Sequence, residues 1–415
     1  MRSSALHTLS FALLAASPFA AAQSAKGGGD LFLPPPAPAK PKSKLIKPTL
    51  DVLARYEVRD VGNLDTSHSG TVRARPGLLL SHDSGFNAFV EGEFTGAVVR
   101  DYTVGNPQIT PFNPGQTPIA DPQNAELNRF HLGYKKDGFG IQAGRLRLVR
   151  QNAAFIGNVI WRQNEQTFDA AEISYNKDGL AASYAYSNRA QRIFGASAPN
   201  PLKAFEGDFH FFDVEKKLEG KSSVGGYVYA IDIDNQANVG ESFTAGAFYK
   251  GGGWHLEAAY QGGESNLVGG DNEYDALYGH VKYTFQAGPG KLTLATEYLQ
   301  DNVKTPFSTV HKFNGFADAF IGQRIGLNKA NGWNGISDVY AVYAMKGLPG
   351  DIVLKLFGHG FWDQDFDQFY GYEADAVVVK KFSKNITALG KFAYFNSDSA
   401  FPDIKQATVQ LGYKF

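Results

Sequence analysis

Arginine is unevenly placed in the 415 residues: apart from Arg2 and Arg324, every one falls between Arg55 and Arg192. Guanidinium keeps its charge at any working pH and grips carboxylate or phosphate in a bidentate fork. Read with a period of two residues, Arg55, Arg59, Arg73, Arg75, Arg129, Arg145 and Arg147 fall on the polar faces of successive segments. Gathered on an inner wall, they would favour small anionic solutes. A second reading pairs them with Glu57, Glu91, Glu93, Asp169 and Glu172, so that they brace the wall. The two readings are compatible.

Other chemistry is sparser. The run Gly157 to Ala170, through Trp161, Arg162, Gln163, Asn164, Phe168 and Asp169, is dense in amide and aromatic groups. Such groups suit hydroxyl-rich ligands or knit a loop together. The run His311 to Phe320 carries Phe313, Phe316 and Phe320 at helical spacing and could fold into a mouth. Asp363, Asp365 and Asp367 alternate as in a calcium loop, but the glycine and distal glutamate of an EF-hand are missing. No nucleophile motif, zinc-type histidine spacing or phosphate-binding glycine loop is present, and His131, His280 and His359 read as wall residues. The expectation is a protein without catalysis, cofactor or metal. A net charge of −1 gives no reason to expect a nucleic-acid partner.

The elements that must hold these residues begin after an export signal. A charged start, an apolar stretch from Leu9 to Phe19 and the small residues Ala20 to Ala22 read as a signal peptide over 1–22. That stretch is too short to span a bilayer, and no other window is long and uncharged enough, which excludes a helical membrane protein. The absence of cysteine excludes disulfides, thiolate metal sites and lipidation on Cys. Residues 23–50, with Gly27 to Gly29, Pro34 to Pro36 and several lysines, read as an extended periplasmic linker.

From 51 to 415 the chain alternates apolar and polar residues in segments of about ten. Val52, Ala54, Tyr56 and Val58 share one face, and Arg55, Glu57 and Arg59 the other. Strands are expected near 51–60, 71–80, 86–98, 126–135, 139–149, 166–176, 180–187, 207–217, 224–233, 241–249, 254–262, 273–285, 291–300, 336–346, 351–361, 370–382, 386–396 and 405–415. Even-numbered connections are tight and carry hairpin chemistry, such as Asp137-Gly138 and Asp178-Gly179. The long connections, around 99–125, 150–165, 188–206 and 301–335, are all odd-numbered. A soluble sandwich has no reason to sort its loops this way, whereas outer-membrane barrels have short periplasmic turns and long extracellular loops. The expected fold is all-β: a transmembrane antiparallel β-barrel of about 18 strands, of the bacterial outer-membrane type. The last segment, with Ala407, Val409, Leu411, Tyr413 and Phe415 on one face, resembles the closing strand by which such barrels are recognised for assembly. Its partners would be outer-membrane lipid, lipopolysaccharide and the barrel-assembly machinery.

Over Gly157 to Ala170, with support from His311-Lys312-Phe313, Ala317-Asp318 and Gly412 to Phe415, the chain resembles the alginate-export family of outer-membrane porins. The resemblance implies a barrel of about eighteen strands and passage of anionic sugars, with Arg145 and Arg162 as polyuronate contacts. The expectation is therefore an anion-preferring passive channel. The alternatives are a dedicated polyuronate exporter, a barrel enzyme or a non-conducting structural barrel.

Overall fold

The computed structural model describes residues 45–265, 273–327 and 332–415. The signal peptide and most of the linker expected from the sequence lie outside the described residues. Among the described residues are eighteen strands: β1 (Ile46–Val61), β2 (Ser67–Ser81), β3 (Phe86–Asp101), β4 (Asn124–Lys136), β5 (Phe139–Leu146), β6 (Thr167–Lys177), β7 (Leu180–Gln191), β8 (Ala204–Lys217), β9 (Ser223–Ile233), β10 (Glu241–Gly251), β11 (Trp254–Glu264), β12 (Glu273–Ala287), β13 (Gly290–Leu299), β14 (Ile336–Leu348), β15 (Ile352–Trp362), β16 (Phe369–Lys381), β17 (Ile386–Ser397) and β18 (Ile404–Lys414). Each pairs antiparallel with the next, and β1 pairs with β18 from Asp51↔Lys414 to Val61↔Ile404, so the sheet closes without an edge.

Alternation decides which face meets which medium. On β18, Val409 is 63% exposed and Leu411 53%, while the intervening Gln410 is 9% exposed. The same inversion runs round the barrel: Val72, Leu132, Leu277, Leu294 and Phe392 point outward, while charged and amide side chains point in. A closed barrel with an apolar exterior satisfies all its backbone hydrogen bonds in lipid, which places this chain in the bacterial outer membrane.

No even-numbered connection exceeds five residues. Two of them are built on Asp137-Gly138 (φ 52° and 90°) and Asp178-Gly179 (φ 52° and 74°), the paired positive φ values of a hairpin turn that follows strand twist. Exposed aromatics cluster beside these turns, with Phe86 against Tyr134 at 4.9 Å and Trp254 against Tyr283 at 4.5 Å between ring centroids. They form part of an interfacial girdle.

Strand limits differ from expectation at two places that matter. β1 begins at Ile46, inside the expected linker, because Ile46 to Leu50 pair with Leu80 to Pro76 of β2. β5 ends at Leu146 rather than 149, where the chain leaves the wall and turns into the lumen.

Eighteen strands enclose a space wide enough for water. Asp121 of the connection 102–123 reaches Arg55 and Gln163 inside it, and two further odd-numbered connections enter it, 147–166 and, in its described residues, 300–327. They meet in a parallel bridge between Ile156 and Phe307, where Gly157 N–H donates to the Phe307 carbonyl (2.8 Å) and Thr309 N–H to that of Ala153 (3.0 Å). Phe307 then packs among Phe168, Phe205, Phe209 and Phe211, with centroids 4.8–6.1 Å away. Phe320 packs among Phe361, Tyr370, Phe395 and Phe401. The core of this protein is thus inside the barrel, where the inserted loops bury their aromatics against inward-facing strand residues.

Candidate functional site

The lumen has two chemically distinct walls. On the first, strand parity turns Arg55 and Arg59 of β1, Arg73 and Arg75 of β2 and Arg129 of β4 inward, and the inserted loop adds Arg147 and Arg162. Seven of the eight arginines singled out in the sequence come together here; Arg145 does not, because β5 parity sets it with Phe139 and Ile141 on the outer face, across from Phe130. Each of the eight meets a carboxylate. The distances are Arg55–Asp121 2.8 Å, Arg59–Asp318 3.7 Å, Arg73–Asp51 2.7 Å and Arg75–Glu93 2.5 Å. The others are Arg129–Glu91 2.8 Å, Arg145–Asp169 2.7 Å, Arg147–Glu165 2.5 Å and Arg162–Glu57 3.1 Å. Glu172 takes Arg150 at 2.7 Å. The bracing carboxylates expected from the sequence are therefore all engaged.

Four of these acids were not foreseen: Asp51, at the start of the first expected strand, and Asp121, Glu165 and Asp318, which lie on loops, where strand parity carries no information. Glu165 is the hub. It accepts from Asn128 (2.7 Å) and Asn158 (3.0 Å), is gripped bidentately by Arg147, and lies within 4.0 Å of Arg75 and Arg129. Burial alone would raise its carboxyl, but Arg147, Arg75 and Arg129 hold it well below the ordinary carboxylate range.

At the centre, the Trp161 indole stacks on His311 (4.6 Å, 11°), with Arg55 and Lys391 over the Trp161 ring at 4.4 and 3.1 Å. His311 Nδ1 bonds Asp318 (2.7 Å) and its Nε2 meets Lys391 Nζ. Burial pushes His311 down to about 3 despite Asp318, so the ring is neutral, with its proton on Nδ1. Asp318, flanked by His311, Arg162 and Arg59, is held below the ordinary range against its own burial.

The second wall is formed by β12 to β16. Together with residues 312–316 it encloses a cavity of about 80 Å³, with Lys282, Lys291, Lys312 and Lys355 in the lining. Three carboxylates line it too. Glu297 is held by Arg324 (2.9 and 3.0 Å), and Asp338 and Asp375 flank His359 (2.9 and 3.8 Å). The rings of Phe313, Phe316 and Phe357 complete it. The sequence reading passed over this lysine set; its signal was parity, since Lys282 lies two residues from His280, and Lys355 shares a face with Phe357 and His359.

The acidic run 363–367 caps its own loop. Asp363 Oδ1 accepts from the N–H of Asp367 (2.8 Å) and of Gln368 (3.2 Å), and Asn334 donates to Asp363 and Asp365.

No protein-family model and no curated protein matches the sequence. Solved structures do match in fold. OccAB1 of Acinetobacter baumannii superposes with a TM-score of 0.66 at 13% identity, over 89% of this chain and 96% of that one. A BenF-like porin from Pseudomonas fluorescens gives 0.66 at 11% identity, over 89% and 98%. OpdK of Pseudomonas aeruginosa, solved with vanillate, gives 0.63 at 12% identity, over 89% and 98%. These likenesses overturn the resemblance to alginate-export porins: the match is to Occ-type porins. The reading of Arg145 and Arg162 as polyuronate contacts rested on that resemblance alone. In the run from Gly157 to Ala170 the amides of Gln163, Asn164 and Gln166 are buried and bond Thr71, the Ile193 carbonyl and the Phe307 carbonyl, so its amide-rich composition is accounted for by holding the loop inside the barrel.

Proposed function

We propose that this barrel is a passive channel for small polar solutes, with a preference for anions and in particular for small organic carboxylates. The observation that carries the reading is the pairing of four lysines with three phenylalanine rings around one luminal cavity. Ammonium groups draw a carboxylate and aromatic faces accept its apolar body. OpdK, similar in fold, was solved with vanillate, an aromatic carboxylate of this class. The ion-paired arginine wall keeps a dense field of fixed charge opposite the lysines, and its partly exposed members, Arg129 and Arg147, are the ones placed to meet a passing anion. No catalytic step belongs to this reading. Contact with lipopolysaccharide and insertion by the barrel-assembly machinery belong to it as partners.

The test is solute flux into liposomes carrying the refolded chain. Aromatic and aliphatic monocarboxylates should enter faster than neutral molecules of equal size, and Lys312→Gln or Lys355→Gln should narrow that difference. Equal rates would refute the preference. A second reading, a non-conducting structural barrel, is favoured by the depth to which 147–166 and 300–327 fill the lumen, and absence of any flux would select it.

A further inference from the structure

Between the aromatic cluster and the lysine-lined cavity, three side chains of the wall converge in a way that channel function does not require. β11 turns His255 and Glu257 inward, two residues apart, and β12 sets His280 directly across from Glu257. One ligand atom from each can be chosen such that all three lie within 4.8 Å of one another. The geometry points to a luminal binding site for a single divalent transition-metal ion, of the zinc, nickel or copper class, held by His255, Glu257 and His280.

The surrounding hydrogen bonds fit that role. His280 is 3% exposed, and its Nε2 is taken by the Tyr340 hydroxyl at 2.8 Å. Its Nδ1 is buried with no hydrogen-bond partner. Leaving a buried ring nitrogen unpaired costs stability, whereas a metal would use its lone pair directly. Tyr340 lies on β14, two strands away from β12, whereas Glu257 lies on β11, the neighbouring strand on the opposite side. The Tyr340 contact thus fixes the ring with the other nitrogen available, as the outer partners of metal-bound histidines do.

Glu257 is oriented from two directions, by the Tyr227 hydroxyl on Oε1 (2.8 Å) and by Asn152 on Oε2 (3.1 Å). His255 Nε2 lies 3.1 Å from the same Oε2. Ligand atoms about 2.0–2.2 Å from an ion sit about 3.3–3.6 Å apart at tetrahedral angles, so the widest pair closes by about an ångström on binding, within reach of a rotamer adjustment of the Glu257 and His255 side chains.

Charge narrows the class of ion. Lys250 and Lys282 are the cross-strand neighbours of His255, so a cation retained by charge alone, such as calcium or magnesium, is disfavoured. An ion with strong affinity for imidazole tolerates that field. Two histidines and one carboxylate leave coordination positions open, and His280 and Asn152 also line the cavity, so those positions face it. The inference does not depend on which solute the channel carries.

Cu2+ titrated into the full chain refolded in detergent provides the test, read by calorimetry and by electron paramagnetic resonance. One equivalent should bind, with nitrogen splitting from two imidazoles. His280→Ala should remove that signal, and Tyr340→Phe should weaken binding about 10-fold while leaving the two-nitrogen spectrum. Should His280→Ala fail to fold, His255→Gln at the half-buried position should lose one nitrogen from the spectrum. Absence of binding to the folded chain, or spectra unchanged by His280→Ala and His255→Gln, would overturn the site.

Discussion

Arg147 and Glu165 stand at opposite ends of one inserted loop and close it on itself through two parallel hydrogen bonds, Nε to Oε2 at 2.7 Å and Nη2 to Oε1 at 2.5 Å. The clasp continues the pairing of β5 with β6, whose last partners are Leu146 and Phe168, and closes the loop at its base. Glu165 is fully buried and Arg147 partly exposed, so the carboxylate is the dependent member.

Glu165→Ala should therefore do more damage than Arg147→Ala. It leaves Arg75, Arg129 and Arg147 without their shared counter-charge, and breaking a buried pair costs about 3–5 kcal/mol. Thermal unfolding of the refolded variants, followed by the shift between folded and unfolded mobility on gels, should show the larger loss for Glu165→Ala. An equal or smaller loss would show that the clasp does not hold the loop.

Gly157→Ala should loosen the two inserted loops from each other. A Cβ there would stand 2.1 Å from Thr309 Oγ1 and 2.9 Å from the Ala153 Cβ. Overpacking of this kind costs about 1–3 kcal/mol. Since the bridge between Ile156 and Phe307 is next in line, larger and noisier single-channel currents are expected. Gly390→Ala on β17, where a Cβ meets nothing within 4 Å, is the control and should behave as wild type.

Acidification should loosen the lumen, and the sign follows from His311 and Asp318. His311 is pushed down to about 3 by burial and stays neutral when folded, whereas a freed ring takes a proton near its ordinary value of 6.5. Its contribution is complete above that value and is lost as pH falls from about 6.5 toward 3. Asp318 is held below the ordinary range by His311, Arg162 and Arg59 against its own burial, so its contribution is present at neutral pH and is lost in acid as well. Both slopes have one direction. Unfolding temperature measured from pH 7 to pH 4 should fall, and His311→Phe, which keeps the stack on Trp161, should fall less steeply. A stability that rises over that range would contradict the arrangement of His311, Asp318 and Lys391.

The fold was legible because a membrane barrel repeats one rule at every strand. Val409 beside Gln410, or Leu277 beside Tyr278, declares its face without reference to any distant residue, and Asp137-Gly138 and Asp178-Gly179 mark turns by their backbone preference alone. The arginine face was legible by the same parity. What crosses the lumen was not: Glu165, Asp121 and Asp318 find their arginines over separations of 18 to 259 residues, from loops with no period. The lysine-lined cavity was missed for a different reason. Lys282 and Lys355 obey strand parity, but Lys312 reaches them from an inserted loop, so the set exists only after that part of the loop has folded inward. The borrowed family name failed on composition, since amide-rich, aromatic inner loops follow from burial of polar backbone and not from the cargo.

Removing one lysine charge from the cavity should shift ion preference without changing the fold. A unit charge about 7 Å from a passing ion in water is worth about 0.6 kcal/mol, or roughly threefold in relative permeability. Lys355→Gln should reduce the anion-to-cation ratio by about that factor in a chain that still folds to the barrel by circular dichroism. An unchanged ratio would remove Lys355 from the path.

The most direct measurement is the reversal potential of the full chain in a planar bilayer under a potassium chloride gradient. A reversal potential of the sign set by chloride, with current reduced when an aromatic carboxylate is added to either chamber, is the expected result. A potential of the sign set by potassium, undisturbed by carboxylate, would contradict an anion-preferring channel.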